Sequence, residues 1–267
     1  MNTTRTTLLT FAALLLLSAG LMSFAFTQKV TKIYLIGDST MADYSTYEGE
    51  DYMNKRYPLM GWGQVFQELF DEKAIASLGH LISTDSVLVD DRARGGRSTR
   101  TFFEEGRWSA VYRDLHPGDL VLMQFGHNDA AKEKTERYVA TEGYREYIRL
   151  FVTQTREKGG IPIVLTPVNR NYPWKEGKLE NVHGEYYQAA VEVAGELGVH
   201  LIDLTQRSMD AFTEKGEAYV TAHYFMNFEP GVYPNYPEGS KDNTHFQPEG
   251  AKAVAELVLE GMVELKR

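Results

Sequence analysis

Four short blocks of this 267-residue chain carry side chains suited to hydrolysis. The first is Gly37-Asp38-Ser39-Thr40, where an apolar β-type run from Lys32 ends in glycine, an acid and two hydroxyls. Ser39 there has the type and the position of a nucleophile, because open α/β sheets bind ligands at the carboxyl edge of their strands. The second block, Asp91-Arg92-Ala93-Arg94-Gly95-Gly96-Arg97-Ser98, offers glycines whose backbone N–H can approach a developing oxyanion with no side chain in the way. The third, Gly126-His127-Asn128-Asp129, adds the Asn128 amide as another oxyanion donor. In the fourth, Asp242-Asn243-Thr244-His245, His245 is placed to deprotonate Ser39, and Asp242 to orient and charge-stabilise the imidazole, both on one turn.

Each block alone also has a plain structural reading. Asp38 or Ser98 caps a helix, Asn128 closes an Asx turn, and Asp242 with His245 forms a solvated surface pair. Taken together and in this order, the four describe acyl transfer through a Ser39-His245-Asp242 triad.

The elements that must position these blocks read as one α/β unit. Strands are expected at 32–37, 86–91, 119–125, 161–166 and 199–203, each apolar on both faces, as strands of a parallel sheet covered by helices are. Helices are expected at 61–72, 139–158, 183–197 and 248–266. Within the second of them Tyr144, Tyr147, Ile148, Phe151 and Val152 recur at three- and four-residue steps and form a core stripe. Gly159-Gly160 and Gly198 stop helices, and Pro248 starts one. The stretch 219–243, rich in aromatics, proline and glycine, reads as a long functional loop.

The net charge of −9 argues against nucleic acid as a partner but leaves room for a local arginine cluster that holds an acidic small substrate. The chain has no cysteine, which excludes disulfides, thiolate metal sites and a cysteine nucleophile. Met1–Thr7 is polar with one cation, Leu8–Phe26 is apolar and uncharged, and Ser23-Phe24-Ala25 supplies small residues at the positions a signal peptidase reads. Residues 1–25 are therefore expected to be a signal peptide, and 26–267 one exported domain, periplasmic or extracellular and without a stable membrane partner. An uncleaved anchor is the alternative, since the 19-residue apolar run just spans a bilayer.

The four blocks resemble those of the SGNH, or GDSL-type, hydrolases, with Ser39, Gly96, Asn128 and His245 at the matching positions. They are most similar to the rhamnogalacturonan acetylesterase group of carbohydrate esterases. The resemblance implies a flavodoxin-like three-layer α/β/α sandwich with a five-stranded parallel sheet. It also implies an esterase that removes O-acetyl groups from a plant cell-wall polysaccharide, rhamnogalacturonan or pectin, with the oxyanion held by Ser39 N–H, Gly96 N–H and Asn128, and with no metal or organic cofactor. One position departs from the pattern: the second block of the family opens with Asn where this chain has Asp91, which bears on the hydrogen bonds that hold the Gly96 loop.

For the polysaccharide itself, Trp174 and Tyr172, and Tyr224, Tyr233 and Tyr236 in the late stretch, offer flat faces for sugar rings, or else simply pack. Arg94, Arg97 and Arg100 meet substrate carboxylates, or else pair with Asp91, Glu104 or Glu105. Of these, Arg97, Trp174 and Tyr233 are the candidate substrate contacts. A lipase or thioesterase with the same triad, a xylan acetylesterase, a non-enzymatic carbohydrate-binding protein and a phosphate-binding α/β protein are the competing readings.

Overall fold

The computed structural model describes residues 29–49 and 51–266; the expected signal peptide at 1–25 lies outside the described residues. Five parallel strands form one sheet: β1 (Val30–Gly37), β2 (Ser86–Asp91), β3 (Leu120–Gln124), β4 (Ile161–Leu165) and β7 (His200–Ile202), in the order β2-β1-β3-β4-β7. The two-residue strands β5 (Trp174–Lys175) and β6 (Lys178–Leu179) pair with each other, and β8 (Phe225–Phe228) pairs antiparallel with β9 (Ser240–Phe246). The helices of six residues or more are α1 (Glu72–Ser77), α2 (Thr99–Glu104), α3 (Arg107–Asp114), α4 (Thr141–Glu157), α5 (Gly184–Leu197), α6 (Leu204–Lys215) and α7 (Pro248–Glu264).

The two-residue period of a strand divides the core in two. Ile33, Leu35, Leu120, Leu122, Ile163, Leu165 and Ile202 face one way, and bury Trp62, Phe66 and the apolar stripes of α6 and α7. Tyr34, Ile36, Val121, Met123 and Val164 face the other way, onto α2, α3, α4 and α5. Helices thus cover both faces, which is why every residue of β3 is buried and why its sequence is apolar throughout until Gln124.

The expected strands are all present, within two residues at each end. Two other expectations need correction. The single helix at 61–72 is instead a one-turn helix (Gly63–Phe66), a 3₁₀ turn (Gln67–Leu69) and then α1, started by Asp71, whose side chain accepts from Ala74 N–H. The segment is pressed against the turn after β1, where a Cβ on Gly61 would stand 2.4 Å from the Ala42 carbonyl oxygen. The stretch 219–243 is irregular only over 229–239, since helical turns over 217–224 lead into β8, and β9 begins at Ser240. Helices α2, α3 and α6 complete the layers.

The sheet order sets the site. The chain leaves β1 for β2 on one side and leaves β3 for β4 on the other, so the connections after these two paired strands run apart at their carboxyl ends, and ligands of open α/β sheets bind at such a switch point. Ser39 follows β1 and Asn128 follows β3.

Candidate active site

The turn that carries Ser39 is fixed from behind. Asp38 is fully buried; its Oδ1 accepts from Thr40 N–H (3.0 Å) and from Thr40 Oγ1 (2.9 Å), and its Oδ2 lies 3.1 Å from His127 Nδ1. Burial alone would push the Asp38 carboxyl up, but His127 beside it and the two Thr40 donors hold it below the usual carboxylate range. Asp38 thus caps a tight turn, with its own carbonyl taking Ala42 N–H at 3.1 Å, rather than the helix expected after it. Gln124, the one polar side chain of β3, donates to Thr40 Oγ1 (2.6 Å) and accepts from Trp62 Nε1 (3.1 Å). A lone buried amide at the end of an apolar strand was a readable signal of that bracing role.

Asp242 and His245 come together on strand β9, not on the turn that their spacing predicts. Phe225 pairs with Phe246, but the next residue, Met226, pairs with Asp242, so Asn243, Thr244 and His245 bulge out of the ladder. The bulge is held by Asp242 Oδ1, which accepts from Thr244 N–H (2.8 Å) and His245 N–H (3.1 Å). It is anchored by Asn243, whose Oδ1 accepts from Asn171 Nδ2 (3.0 Å) and Asn227 Nδ2 (2.9 Å), and whose carbonyl accepts from Asn171 N–H (2.9 Å). Nothing in the sequence marks Asn171 or Asn227 for this task.

The bulge brings His245 Nδ1 to 2.7 Å from Asp242 Oδ2 and His245 Nε2 to 2.8 Å from Ser39 Oγ. Burial would raise the Asp242 carboxyl, but the hydrogen bond from the His245 ring and the two backbone N–H groups hold it low, so it is ionised at neutral pH. An ionised acceptor keeps the proton on Nδ1 and leaves the Nε2 lone pair facing the Ser39 hydroxyl.

The Gly96 loop is tied to the same place. Tyr44 donates its hydroxyl proton to the Ser39 carbonyl (3.0 Å), and Tyr47 accepts Gly95 N–H (2.9 Å). Asn128 Nδ2 gives one proton to the Arg97 carbonyl (3.0 Å), which leaves the other to point elsewhere. Gly96 has φ +79°, a conformation that favours glycine. Among the described residues, neither Ser39 N–H nor Gly96 N–H has a hydrogen-bond acceptor. Two backbone donors and half of a side-chain amide are therefore available at one edge of the sheet. Behind them, Asp129 Oδ1 accepts from Thr99 N–H (3.0 Å) and Thr99 Oγ1 (2.6 Å), joining the second block to the third; burial raises this carboxyl to about 7. Asp91 stands outside the reacting face: Oδ1 accepts Ala93 N–H (2.8 Å), Oδ2 is buried without a partner, and burial, with Asp43 and Asp90 nearby, holds the carboxyl well above its usual range.

Ser39, Gly96, Asn128 and His245 line one cleft of about 540 Å³. Its apolar lining is limited to Leu59, Ala131 and the faces of Tyr44 and Tyr47, while the rest is polar or charged, with five arginines and one lysine among it. Arg97 lines it, bound to Glu105 at 2.9 Å. Trp174 and Tyr233 do not: Trp174 Nε1 donates to Asn171 Oδ1 (3.0 Å), and Tyr233 packs between Tyr57 and Phe228 with its hydroxyl on Gln247. Arg100 binds Glu104 at 3.1 Å, also away from the cleft. A larger open groove of about 970 Å³ lies beside Asn171, Asn227 and Asn243, but it lacks Ser39 and His245, and the Asn171 and Asn227 amide protons are taken up by protein acceptors. The smaller cleft is the one with reactive chemistry.

Comparison with known proteins gives this geometry relatives. The GDSL-like Lipase/Acylhydrolase family profile matches residues 35–253. The chain is 38% identical over 238 residues to the rhamnogalacturonan acetylesterase RhgT of Bacillus subtilis (strain 168), covering 89% of this chain and 92% of that protein. It is 37% identical to the probable rhamnogalacturonan acetylesterase YesY of the same strain, covering 87% of this chain and 93% of that one. Among solved structures, the B. subtilis YxiM protein superposes with a TM-score of 0.69 at 24% identity, over 88% of this chain and 56% of that one, so this chain spans little more than half of YxiM.

Proposed function

The chain belongs to the GDSL-like lipase/acylhydrolase family and is a carboxylic ester hydrolase, and from that premise we propose that it removes O-acetyl groups from an acetylated plant cell-wall polysaccharide, rhamnogalacturonan or pectin, after export from the cell. The observation that carries the reading is the unbroken chain Asp242 Oδ2 to His245 Nδ1 (2.7 Å) and His245 Nε2 to Ser39 Oγ (2.8 Å) at the mouth of the cleft.

In this mechanism, Ser39 Oγ attacks the acetyl carbonyl carbon as its proton passes to His245 Nε2. The imidazolium that forms is stabilised by ionised Asp242. Negative charge develops on the carbonyl oxygen, and Ser39 N–H, Gly96 N–H and the second Asn128 amide proton receive it. His245 then protonates the departing sugar hydroxyl oxygen, which leaves acetyl-Ser39. In the second half, His245 takes a proton from water, the hydroxide attacks the acetyl carbon, and acetate leaves as Ser39 recovers its proton. No step needs a metal or an organic cofactor.

The substrate reading draws on the relatives' names and on the lining of the cleft. Two small aliphatic side chains do not make a channel for a long acyl group, whereas a polar cleft suits a sugar bearing a two-carbon ester. Acetate release from acetylated pectin fragments, acetylated xylan and simple esters is the direct test, with Ser39→Ala as control. We expect release from the pectin fragments to fall by at least about 10⁴-fold in the variant. Near-normal activity in Ser39→Ala removes the nucleophile assignment, and preference for long-chain esters replaces the acetylesterase reading with a lipase one.

A further inference from the structure

The chain carries 37 acidic against 28 basic side chains, and its arginines away from the cleft are mostly held by those acids. Arg92 binds Asp90 and Asp114, Arg107 binds Glu105, Arg145 binds Glu192 and Arg149 binds Glu196. The cleft beside Ser39 breaks this pattern. Arg94 has no carboxylate partner among the described residues; its guanidinium is stacked 3.4 Å from the centre of the Tyr47 ring, which leaves its N–H edge open. Arg137 reaches only the solvent-exposed Glu136, at 3.9 Å, and its Nε is buried with no hydrogen-bond partner. Lys134 has no acid within ion-pair distance among the described residues. Glu133 is the sole carboxylate on the cleft wall.

These cations sit close to the reacting atoms. The ideal Cβ position on Gly96 lies 3.3 Å from Arg137 Nη1, so that guanidinium covers the very backbone whose N–H faces the oxyanion. Arg94 is two residues before Gly96 in the same loop, with its backbone N–H bonded to the Gly37 carbonyl (3.1 Å). The buried Nε of Arg137 is a donor with no partner, a desolvation cost that an acceptor brought in by a ligand would relieve, and the acids elsewhere in the chain do not reach this wall. A planar fork with free N–H groups matches a carboxylate, and the stack on Tyr47 keeps Arg94 in place before that anion arrives.

We propose that Arg94 and Arg137, assisted by Lys134, form a carboxylate-binding subsite next to the oxyanion loop, which reads a uronate of the sugar chain and presents its acetyl ester to Ser39. This rests on the acetylesterase reading above and deepens it. The enzyme thereby distinguishes an acetylated uronide whose carboxylate is free from one whose carboxyl is methyl-esterified, although both carry the same acetyl group. Arg97, expected from sequence to meet the substrate's acid, is held by Glu105 and by the Gly95 carbonyl (2.8 Å) and shapes the loop instead.

The test compares kcat/KM on an O-acetylated oligogalacturonide with free carboxylates and on the same oligomer after carboxyl methylation. The native enzyme is expected to prefer the free acid by at least about tenfold, and Arg94→Gln/Arg137→Gln to bring that ratio near one through KM. A merely structural role for these arginines would lower both rates together and leave the ratio unchanged, which overturns the proposal, as does a native enzyme that does not distinguish the two oligomers. Calorimetry of deacetylated oligogalacturonide with Ser39→Ala gives a readout that needs no turnover: binding by Ser39→Ala that is lost in the triple variant supports the subsite, and binding that survives refutes it. 4-Nitrophenyl acetate separates the two levels. Turnover of this ester without discrimination between the oligomers sinks the subsite alone, whereas failure on every ester sinks the esterase reading while the calorimetric result still decides the subsite.

Discussion

At the residue scale, the proposed catalytic side chains could be picked out because the chemistry proposed for them demands particular types, whereas their supports are generic. Ser39, Asn128, Asp242 and His245 follow from block composition, yet Gln124, Tyr44, Tyr47, Asn171 and Asn227, which hold them, are polar residues with many ordinary uses. The assignments make sharp predictions. Asp242→Asn retains an oxygen for Thr244 and His245 N–H but offers His245 no anion, so kcat should drop about 10⁴-fold with little change in melting temperature. Asn128→Ala should cost about 10²- to 10³-fold in kcat, mostly at constant KM. Asp129 makes a different prediction. Its carboxyl titrates near 7 in the folded protein but near 4 when unfolded, so between these values the folded state holds a proton that the unfolded state has lost. This group therefore lowers stability progressively as pH rises from about 4 to about 7, by up to roughly 4 kcal/mol above that window. Asp129→Asn keeps an acceptor for both Thr99 donors and has no proton to lose. Melting curves of the two proteins should coincide near pH 4 and separate by pH 8, with the variant more stable.

At the scale of elements, hydrophobic patterning exposed the parts whose faces are both buried and hid the parts that work at an edge. β1, β3 and β4 read as strands because helices cover them on two sides, and α4 because its stripe repeats at helical spacing. β9, Ser-Lys-Asp-Asn-Thr-His-Phe, shows no alternation, since only Phe246 is buried and three of its residues leave the ladder altogether. The irregularity that made the strand illegible is the same one that points His245 at Ser39. Asn171 supports this bulge with two bonds to Asn243, one from its backbone and one from its side chain. Asn171→Ala removes the second and also the acceptor for Trp174 Nε1, leaving that indole N–H unpaired. A small displacement of His245 is enough to matter, so kcat on 4-nitrophenyl acetate should fall about 10- to 100-fold while the protein remains folded. If kcat is unchanged, the amide cluster is structural filling and the bulge is held by Asp242 alone.

At the scale of the whole molecule, the acidic body and the basic cleft act over different distances, and ionic strength decides which one an anionic polysaccharide feels. The sequence carries a net charge of −9, and at about 0.01 M salt the screening length of roughly 30 Å is comparable to the size of the domain, so the whole body repels an approaching oligouronide. At about 0.15 M the length shrinks to roughly 8 Å, and a sugar in the cleft then interacts chiefly with the cations that line it, among them Arg94, Lys134, Arg137 and Arg170. Near 1 M it is about 3 Å, and those attractions are damped as well. Activity on an acetylated oligogalacturonide should therefore pass through a maximum at intermediate salt, carried by KM, whereas 4-nitrophenyl acetate, which bears no charge, should show nearly flat kcat/KM over the same range. A steady fall from the lowest salt upward would mean that cleft attraction dominates at every distance. A steady rise would mean that the cations near Ser39 never engage the substrate's carboxylates, because only repulsion by the body would then be left to screen.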